Sequence, residues 1–178
     1  MRLAVLVTLL ALAVPAPAQE TPFDLNGITL GTALATIEAT GRFTCIDPKS
    51  PVADRLCRLK SGEKESIAEA QVKGLFLYFY SGKLEMISLT LDPKAFPEVV
   101  SALSRRYGTG SMETETMQNV TGTSFENRIY TWRRNNATLE AQTYGRNLET
   151  STVMFRSDFS LQEYARRSGT AGKEKAKE

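Results

Sequence analysis

A long apolar hairpin constrains the fold of this chain more than any other feature. Its first strand, Leu75 to Tyr80, carries bulky apolar or aromatic residues at both odd and even positions. Ser81-Gly82 is typical of a two-residue turn, and the segment from Leu84 to Leu91 returns along the first strand. Because side chains on both faces are apolar, the pattern predicts a central strand in a sheet that is covered on both sides.

A second hairpin follows later in the chain. Residues 125–134 and 137–144 are strand-like and flank a turn at Asn135-Asn136. Two-residue turns set the register of both hairpins. They place Leu77 opposite Met86 in the first hairpin and Trp132 opposite Leu139 in the second.

A helix is predicted between the two hairpins. Asp92 and Pro93 are typical of a helix start, and Gly108 of a helix end. Shorter helices are predicted near residues 32–41 and after Ser157. This order predicts the α+β class, with a mainly antiparallel sheet, helices packed on one face and a single disulfide. The apolar stripe of the central helix consists of Phe96, Val99, Val100, Leu103 and Tyr107.

The first 18 residues have the form of an export signal. Arg2 precedes an apolar run of about 12 residues, which is too short to cross a bilayer. The small residues at 16–18 then predict cleavage after Ala18. No cysteine lies near that position, so we expect no lipid anchor, and we expect no transmembrane segment in the mature chain. The predicted organisation is a signal peptide at 1–18, one domain at 19–167 and a flexible tail at 168–178.

Cys45 and Cys57 are the only cysteines of the chain. An exported protein meets an oxidising compartment, where disulfides persist. A bridge would close a loop of about 13 residues and contribute about 3 kcal/mol in the chain-entropy model. A redox-active dithiol usually has C-x-x-C spacing, which is absent here. We therefore expect a structural disulfide.

The composition excludes several classes of function. The chain has no histidine, so it has no Ser-His or Cys-His nucleophile pair and no histidine ligand for zinc or haem. We expect no metal and no cofactor. The net charge is +2, and it falls to +1 when Arg2 is removed with the signal. A charge so close to zero predicts no binding to nucleic acid.

The segment from Gly27 to Ile37 has the form G-I-x-L-G-x-x-L-x-x-I. It is followed by a disulfide-sized loop, an aromatic hairpin that contains Gly82-Lys83-Leu84, and a helix that ends in Tyr107-Gly108. This plan resembles the SmpA/OmlA-type outer-membrane-assembly domain and the β-lactamase-inhibitor-protein fold of exported bacterial proteins. The resemblance implies a helix that packs on an antiparallel sheet, and a function in binding other proteins.

Arginine and tyrosine side chains predict a binding surface. Arginine forks bind carboxylates and phosphates, and Tyr and Arg are enriched at binding hot spots. Two tyrosines lie next to turns, where side chains are often exposed. The alternative is that the arginines lie on a solvated sheet face and are balanced by neighbouring glutamates. The predicted surface consists of Tyr80, Arg128, Arg133, Arg134, Tyr144, Arg146 and Arg156.

Three functions remain open at this stage. The leading hypothesis is a soluble, exported (periplasmic or secreted) non-enzymatic module that binds a protein or an envelope component. The second is a small envelope hydrolase that uses a carboxylate pair, for which Glu85, Glu126 and Glu140 are the strand-borne candidates. The third is a binder of a small ligand or lipid, in a pocket between helix and sheet.

Overall fold

The computed structural model describes residues 21–49, 52–119, 121–145 and 147–169. The predicted signal peptide lies outside the described residues, as do residues 170–178 of the predicted tail. Three α-helices are described: α1 (Leu34–Ala39), α2 (Phe96–Tyr107) and α3 (Asp158–Arg167). The strands are β1 (Asp24–Leu25), β2 (Ile28–Thr29), β3 (Phe43–Ile46), β4 (Arg55–Leu59), β5 (Ser66–Ile67), β6 (Ala70–Gln71), β7 (Gly74–Tyr80), β8 (Lys83–Leu91), β9 (Ser111–Gln118), β10 (Ser124–Arg134), β11 (Ala137–Gln142) and β12 (Ser151–Ser157).

Eight of these strands form one antiparallel sheet, in the order β3-β4-β7-β8-β12-β11-β10-β9. The pairs β1-β2 and β5-β6 form two small separate hairpins. The predicted α+β class and antiparallel sheet are confirmed. Both predicted hairpins are present, as β7-β8 and β10-β11. In the second hairpin Trp132 lies opposite Leu139, as expected.

The core lies between one face of this sheet and helices α1 and α2. A row of buried side chains crosses five neighbouring strands at matched register positions. The predicted apolar stripe of α2 packs against it, and all five of its members are buried. We call this side of the sheet the core face. The buried row consists of Leu77, Ile87, Phe155, Leu139 and Trp132.

A β-bulge in β8 changes the predicted register of the first hairpin. Phe79 pairs with Leu84, as expected, but Tyr78 pairs with Met86, so Glu85 is left as the extra residue. Leu77 therefore lies opposite Ile87, and the predicted pair Leu77–Met86 is wrong. The bulge has a physical reason: Leu84 and Ile87 are three residues apart, and a strict two-residue alternation cannot bury both on one face.

The opposite side of the sheet, which we call the open face, carries the side chains that alternate with the core residues. Of the three helices, only α3 reaches this face. It contacts one end, where the ring of Phe159 lies 6.0 Å from the ring of Tyr80. In the middle of β7, Phe76 and Tyr78 are half-buried and line a cavity to which none of the three described helices contributes a residue. Helices α1 and α2 pack on the core face, as predicted, whereas the cover expected for the second face is not seen over Phe76 and Tyr78 within the described residues.

The predicted disulfide joins Cys45 and Cys57, which are directly opposite each other on β3 and β4. Cys57 is fully buried in the core, next to Leu77 of β7. Its partner Cys45 is half-buried on the edge strand. The bond acts as a staple between the edge strand β3 and the rest of the sheet.

The hairpin β5-β6 has a strained turn, which gives a stability prediction. Ile67 pairs with Ala70, and both turn residues have a positive φ: 49° at Ala68 and 67° at Glu69. Residues other than Gly, Asn or Asp are disfavoured in this left-handed region. We expect Glu69→Gly to raise the free energy of unfolding by about 0.5–1 kcal/mol, measured by urea denaturation.

The same substitution at Glu115 is the matched control. Glu115 lies in β9 and is not among the residues with positive φ. Glycine in a strand loses conformational entropy without relieving strain, so Glu115→Gly should lower stability. Equal effects of the two substitutions would show that the turn stores no strain.

Candidate binding surface

The predicted arginine residues lie on both faces of the sheet. Arg128 and Arg134 project to the same side of β10 as the buried Trp132, which is the core face. Arg133 and Arg156 project to the open face. A sheet separates the two pairs, so the structure does not bring these four arginines together on one surface.

Each of these four arginines also has an acceptor within the fold, and Arg146 lies outside the described residues. Ion-paired guanidinium groups at a protein surface have less free charge to offer a partner. The acceptors are Glu126 for Arg128 (2.6 Å), Asp158 for Arg133 (3.1 Å), Glu140 for Arg156 (2.9 Å), and the backbone carbonyls of Thr21 (2.6 Å) and Tyr107 (3.0 Å) for Arg134.

Tyr80, which was predicted at the surface, is only 2% exposed. Its hydroxyl donates to the backbone carbonyl of Val52 (2.5 Å), and the guanidinium of Arg167 lies 4.8 Å from its ring centre. Burial raises the pKa of the Tyr80 phenol. Tyr80 therefore connects the loop before β4 to α3, and the prediction that its side chain is exposed is wrong.

Tyr144 and Arg128 do come together, in a groove between the start of α2 and β10. The groove has a volume of about 450 Å³, and Phe96 and Tyr130 contribute to its walls. The ring of Tyr144 also packs edge-on against Phe125, at 6.2 Å. This is the helix–sheet pocket that the third hypothesis requires. Its side chains include the ion pair of Arg128 with Glu126.

A cavity of about 650 Å³ lies on the open face. A binding pocket for a small molecule typically has about 300–1,000 Å³. Its floor spans strands β4, β7, β8, β12 and β11, and its walls come from the loops before β4 and after β11. The described residues that line it are Val52, Leu56, Phe76, Tyr78, Met86, Ser88, Thr90, Gln142, Gly145, Asn147, Thr150, Thr152 and Met154.

An apolar strip forms one half of this floor. It follows from the register, because Leu56, Tyr78 and Met86 are direct neighbours across three strands. The same row continues outward to Ile46 on the edge strand, whose side chain is 53% exposed. Apolar side chains in a row on an uncovered sheet face are a feature of interaction sites.

Hydrogen bonds hold the wall beyond β11 in place. Asn127 accepts from the backbone N–H of Tyr144 (2.9 Å), and the hydroxyl of Ser151 donates to the carbonyl of Thr143 (2.5 Å). Further along, Asn147 accepts from the hydroxyl of Thr150 (3.0 Å). These hydrogen bonds fix the described wall residues to β10 and to the start of β12.

The carboxylates of the hydrolase hypothesis do not converge. Glu126 projects to the core-face side, whereas Glu140 lies on the open face and is paired with Arg156. Glu85 accepts a hydrogen bond from the hydroxyl of Ser157 on β12. The cross-strand neighbour of Glu140 is Met154, three residues before Ser157, so the two sites are about 10 Å apart along the strand. Each of these three carboxylates is engaged with its own partner, so they do not form a pair with one another.

A cluster around α3 gives a prediction about pH. Glu163 accepts hydrogen bonds from Arg166 (2.6 Å) and Arg167 (2.6 Å), which lower its pKa to about 2. Arg167 also donates to Asp54 (2.7 Å) and lowers the pKa of that carboxyl. Since the folded-state pKa is below the ordinary value, the stabilisation is present above about pH 4.5 and is lost as the pH falls toward 2.

We therefore expect Glu163→Gln to unfold at a lower temperature than the wild type at pH 6. The difference in Tm should shrink as the pH falls from 5 to 2.5, because the wild type then loses the same interaction. Glu113→Gln on the exposed strand β9 is the control, and its Tm should follow that of the wild type. A difference in Tm that is independent of pH would contradict this linkage.

The cavity residues were not predicted as a site from the sequence. The available signal is the apolar character of both faces of β7, which predicts a sheet that is covered on both sides. The same pattern also fits a strand with one face in the core and the other at a binding surface. Phe76, Tyr78 and Met86 are the residues for which this second interpretation holds.

Neither metal sites nor membrane-spanning helices are found in the part of the chain that the structure describes. No group of three or more Cys, Asp or Glu side chains there could hold a metal ion. No helix there is long and apolar enough to cross a bilayer. Comparison of the chain with protein-family models, with curated proteins and with solved structures gives no match.

Proposed function

We propose that the chain is an exported binding module of the bacterial envelope, and that the open face of its sheet is the binding surface. The observation that carries the proposal is the cavity of about 650 Å³ on that face, with its apolar floor. The core face supplies the packing on which the fold depends. The apolar side chains of Leu56, Phe76 and Met86 lie on the other side, in a cavity that no residue of the three described helices lines.

The export part of the proposal rests on two features. The sequence begins with an apolar run and small residues that are typical of a signal peptide. The Cys45–Cys57 bond suits a compartment in which disulfides persist. The resemblance in plan to SmpA/OmlA-type and β-lactamase-inhibitor-like domains also favours a function in binding rather than in catalysis.

Photo-crosslinking in cells tests the surface directly. A diazirine analogue of an aliphatic amino acid is introduced at Met86, on the open face, and at Ala35, on the exposed side of α1. We expect an adduct of discrete mass from position 86 and none from position 35. Absence of an adduct at both positions would overturn the proposal, and so would equal adducts at both positions.

A further inference from the structure

We propose that the open face binds a fatty acid, with the acyl chain in the cavity and the carboxylate on Arg58. This inference rests on the proposed function and names the chemical class of the ligand. It follows from three observations: an exposed guanidinium that is not ion-paired within the described residues, an apolar strip that begins beside it, and wall loops whose acidic residues lie outside the lining.

The first observation concerns Arg58 on β4. It lies directly opposite Phe76 of β7, and its position two residues after Leu56 places it on the open face. Its side chain is exposed, and no described residue forms a hydrogen bond or an ion pair with its guanidinium. Arg133 and Arg156, which also project to this face, already have carboxylate partners at 3.1 and 2.9 Å. Of these three arginines, Arg58 is therefore the one available to an incoming anion.

A carboxylate suits this position. The two oxygens of one carboxylate accept two parallel hydrogen bonds from one guanidinium fork. The guanidinium stays protonated at every physiological pH, so its preferred partner is always an anion. An amphiphile with one carboxylate therefore matches the charge of this end of the open face.

The second observation is that the apolar strip of the cavity floor begins beside this guanidinium. Its first member, Leu56, lies on the same face of β4, two residues from Arg58. Its last member, Met86, lies two strands away, and Met154 extends the apolar surface to β12, about 14 Å from β4 at the usual spacing between strands. Methionine side chains are flexible and adapt to the shape of a bound chain. An acyl chain can therefore cross the floor with its carboxylate at Arg58.

The polar residues of the floor are set apart from this path. Thr90, Thr152 and Gln142 follow one another across β8, β12 and β11, in a row of their own. Met86 lies four residues before Thr90 on β8. An acyl chain on the apolar strip leaves these three polar groups to water, which avoids the cost of burying them without partners.

The third observation concerns the acidic residues of the two wall loops. Asp47 is paired with Arg55 at 2.6 Å, and Asp54 with Arg167 at 2.7 Å. Glu149 is not among the residues that line the cavity. The residues of these loops outside the described ranges are Ser50, Pro51 and Arg146. None of those three is acidic, so they add no negative charge to repel a carboxylate.

Calorimetric titration of the mature chain at pH 8 tests the inference. Laurate is the probe, and dodecyl maltoside and dodecyltrimethylammonium are the neutral and cationic probes with a chain of the same length. We expect laurate to bind at least tenfold more tightly than either, since a hydrogen bond between charged groups contributes more than one between neutral groups. Decanoate should bind more weakly than laurate, by about threefold for each methylene removed.

Two arginine variants locate the carboxylate. Arg58→Gln should raise the Kd for laurate at least tenfold and leave the Kd for dodecyl maltoside unchanged. Arg105→Gln is the matched control, because Arg105 is also exposed and donates to the hydroxyl of Ser101 (2.9 Å) on α2, away from the open face. It should leave the Kd for laurate unchanged. Equal effects of the two variants would overturn the assignment to Arg58.

A third variant locates the acyl chain. Met154→Gln places an amide on the cavity floor at similar side-chain length. It should weaken the binding of laurate several-fold, because part of the chain then packs against a polar group. Unchanged binding of laurate to Met154→Gln, together with a loss in Arg58→Gln, would show that the chain lies outside the cavity and would overturn this part of the inference.

The outcomes separate this inference from the proposed function. If position 86 crosslinks in cells but laurate does not bind at millimolar concentration, the surface stands and the fatty acid is overturned. Binding of laurate no tighter than that of dodecyl maltoside would likewise replace the fatty acid by a neutral lipid. If position 86 gives no adduct, the proposed function itself is contradicted, whatever the titrations show.

Discussion

Phe79→Ala should lower the free energy of unfolding by about 3–5 kcal/mol, and Phe76→Ala by only about 1 kcal/mol. The two residues are three positions apart on β7 and project to opposite faces. Phe79 is completely buried in the core, whereas Phe76 is half-buried on the open face. Removal of the first ring leaves a cavity among packed side chains, but removal of the second exposes a surface that water already reaches.

Urea denaturation measures both variants, with the slope of the transition as a check on two-state behaviour. The loss expected for Phe79→Ala is a large fraction of the 5–15 kcal/mol that is typical of a folded domain. Partial unfolding of Phe79→Ala at room temperature would therefore agree with the prediction. Equal losses from the two substitutions would mean that the open face is part of the core.

Loss of the disulfide should have the second-largest effect. The double substitution Cys45→Ala and Cys57→Ala should lower the free energy of unfolding by about 3 kcal/mol, since the unfolded chain regains the freedom of a loop of about 13 residues. Reduction of the wild-type protein should produce a similar loss. Because reduction breaks the bond but keeps both cysteine side chains, this comparison separates loss of the bond from the smaller volume of alanine at the buried Cys57.

A thiol assay on the exported protein completes this test. We expect no free thiol before denaturation and none after denaturation without reductant. Detection of two free thiols in the exported protein would contradict the structural role of the bond. Equal stability of the oxidised and reduced proteins would contradict its contribution to folding.

The sequence predicts the strands and their pairing well where the physical signals are local. The Ser81-Gly82 and Asn135-Asn136 turns fix two hairpins, and the disulfide follows from the only pair of cysteines. The apolar stripe of α2 is complete because a helix with one buried face must repeat its apolar residues at helical spacing. These features depend on neighbours that are close in the chain.

The assignment of faces was harder to predict because it depends on distant parts of the chain. A single bulged residue, Glu85, reverses the alternation of β8 and so moves Met86 to the open face. Alternation along β10 places Arg133 on the opposite side from Trp132, Arg128 and Arg134, but which of the two sides is covered depends on elements that are distant in the chain. Tyr80 is buried because α3, which begins more than seventy residues later, packs against it.

The central claim is that the two faces of the sheet have separate roles, one in folding and one in binding. The most direct test is the adduct from a photo-crosslinker at position 86, measured in the wild type and in Phe76→Ala. We predict that the adduct falls about tenfold in the variant, since one aromatic contact of a binding site is lost, while its Tm stays within a few degrees of the wild type. An unchanged adduct in the folded variant would contradict the claim.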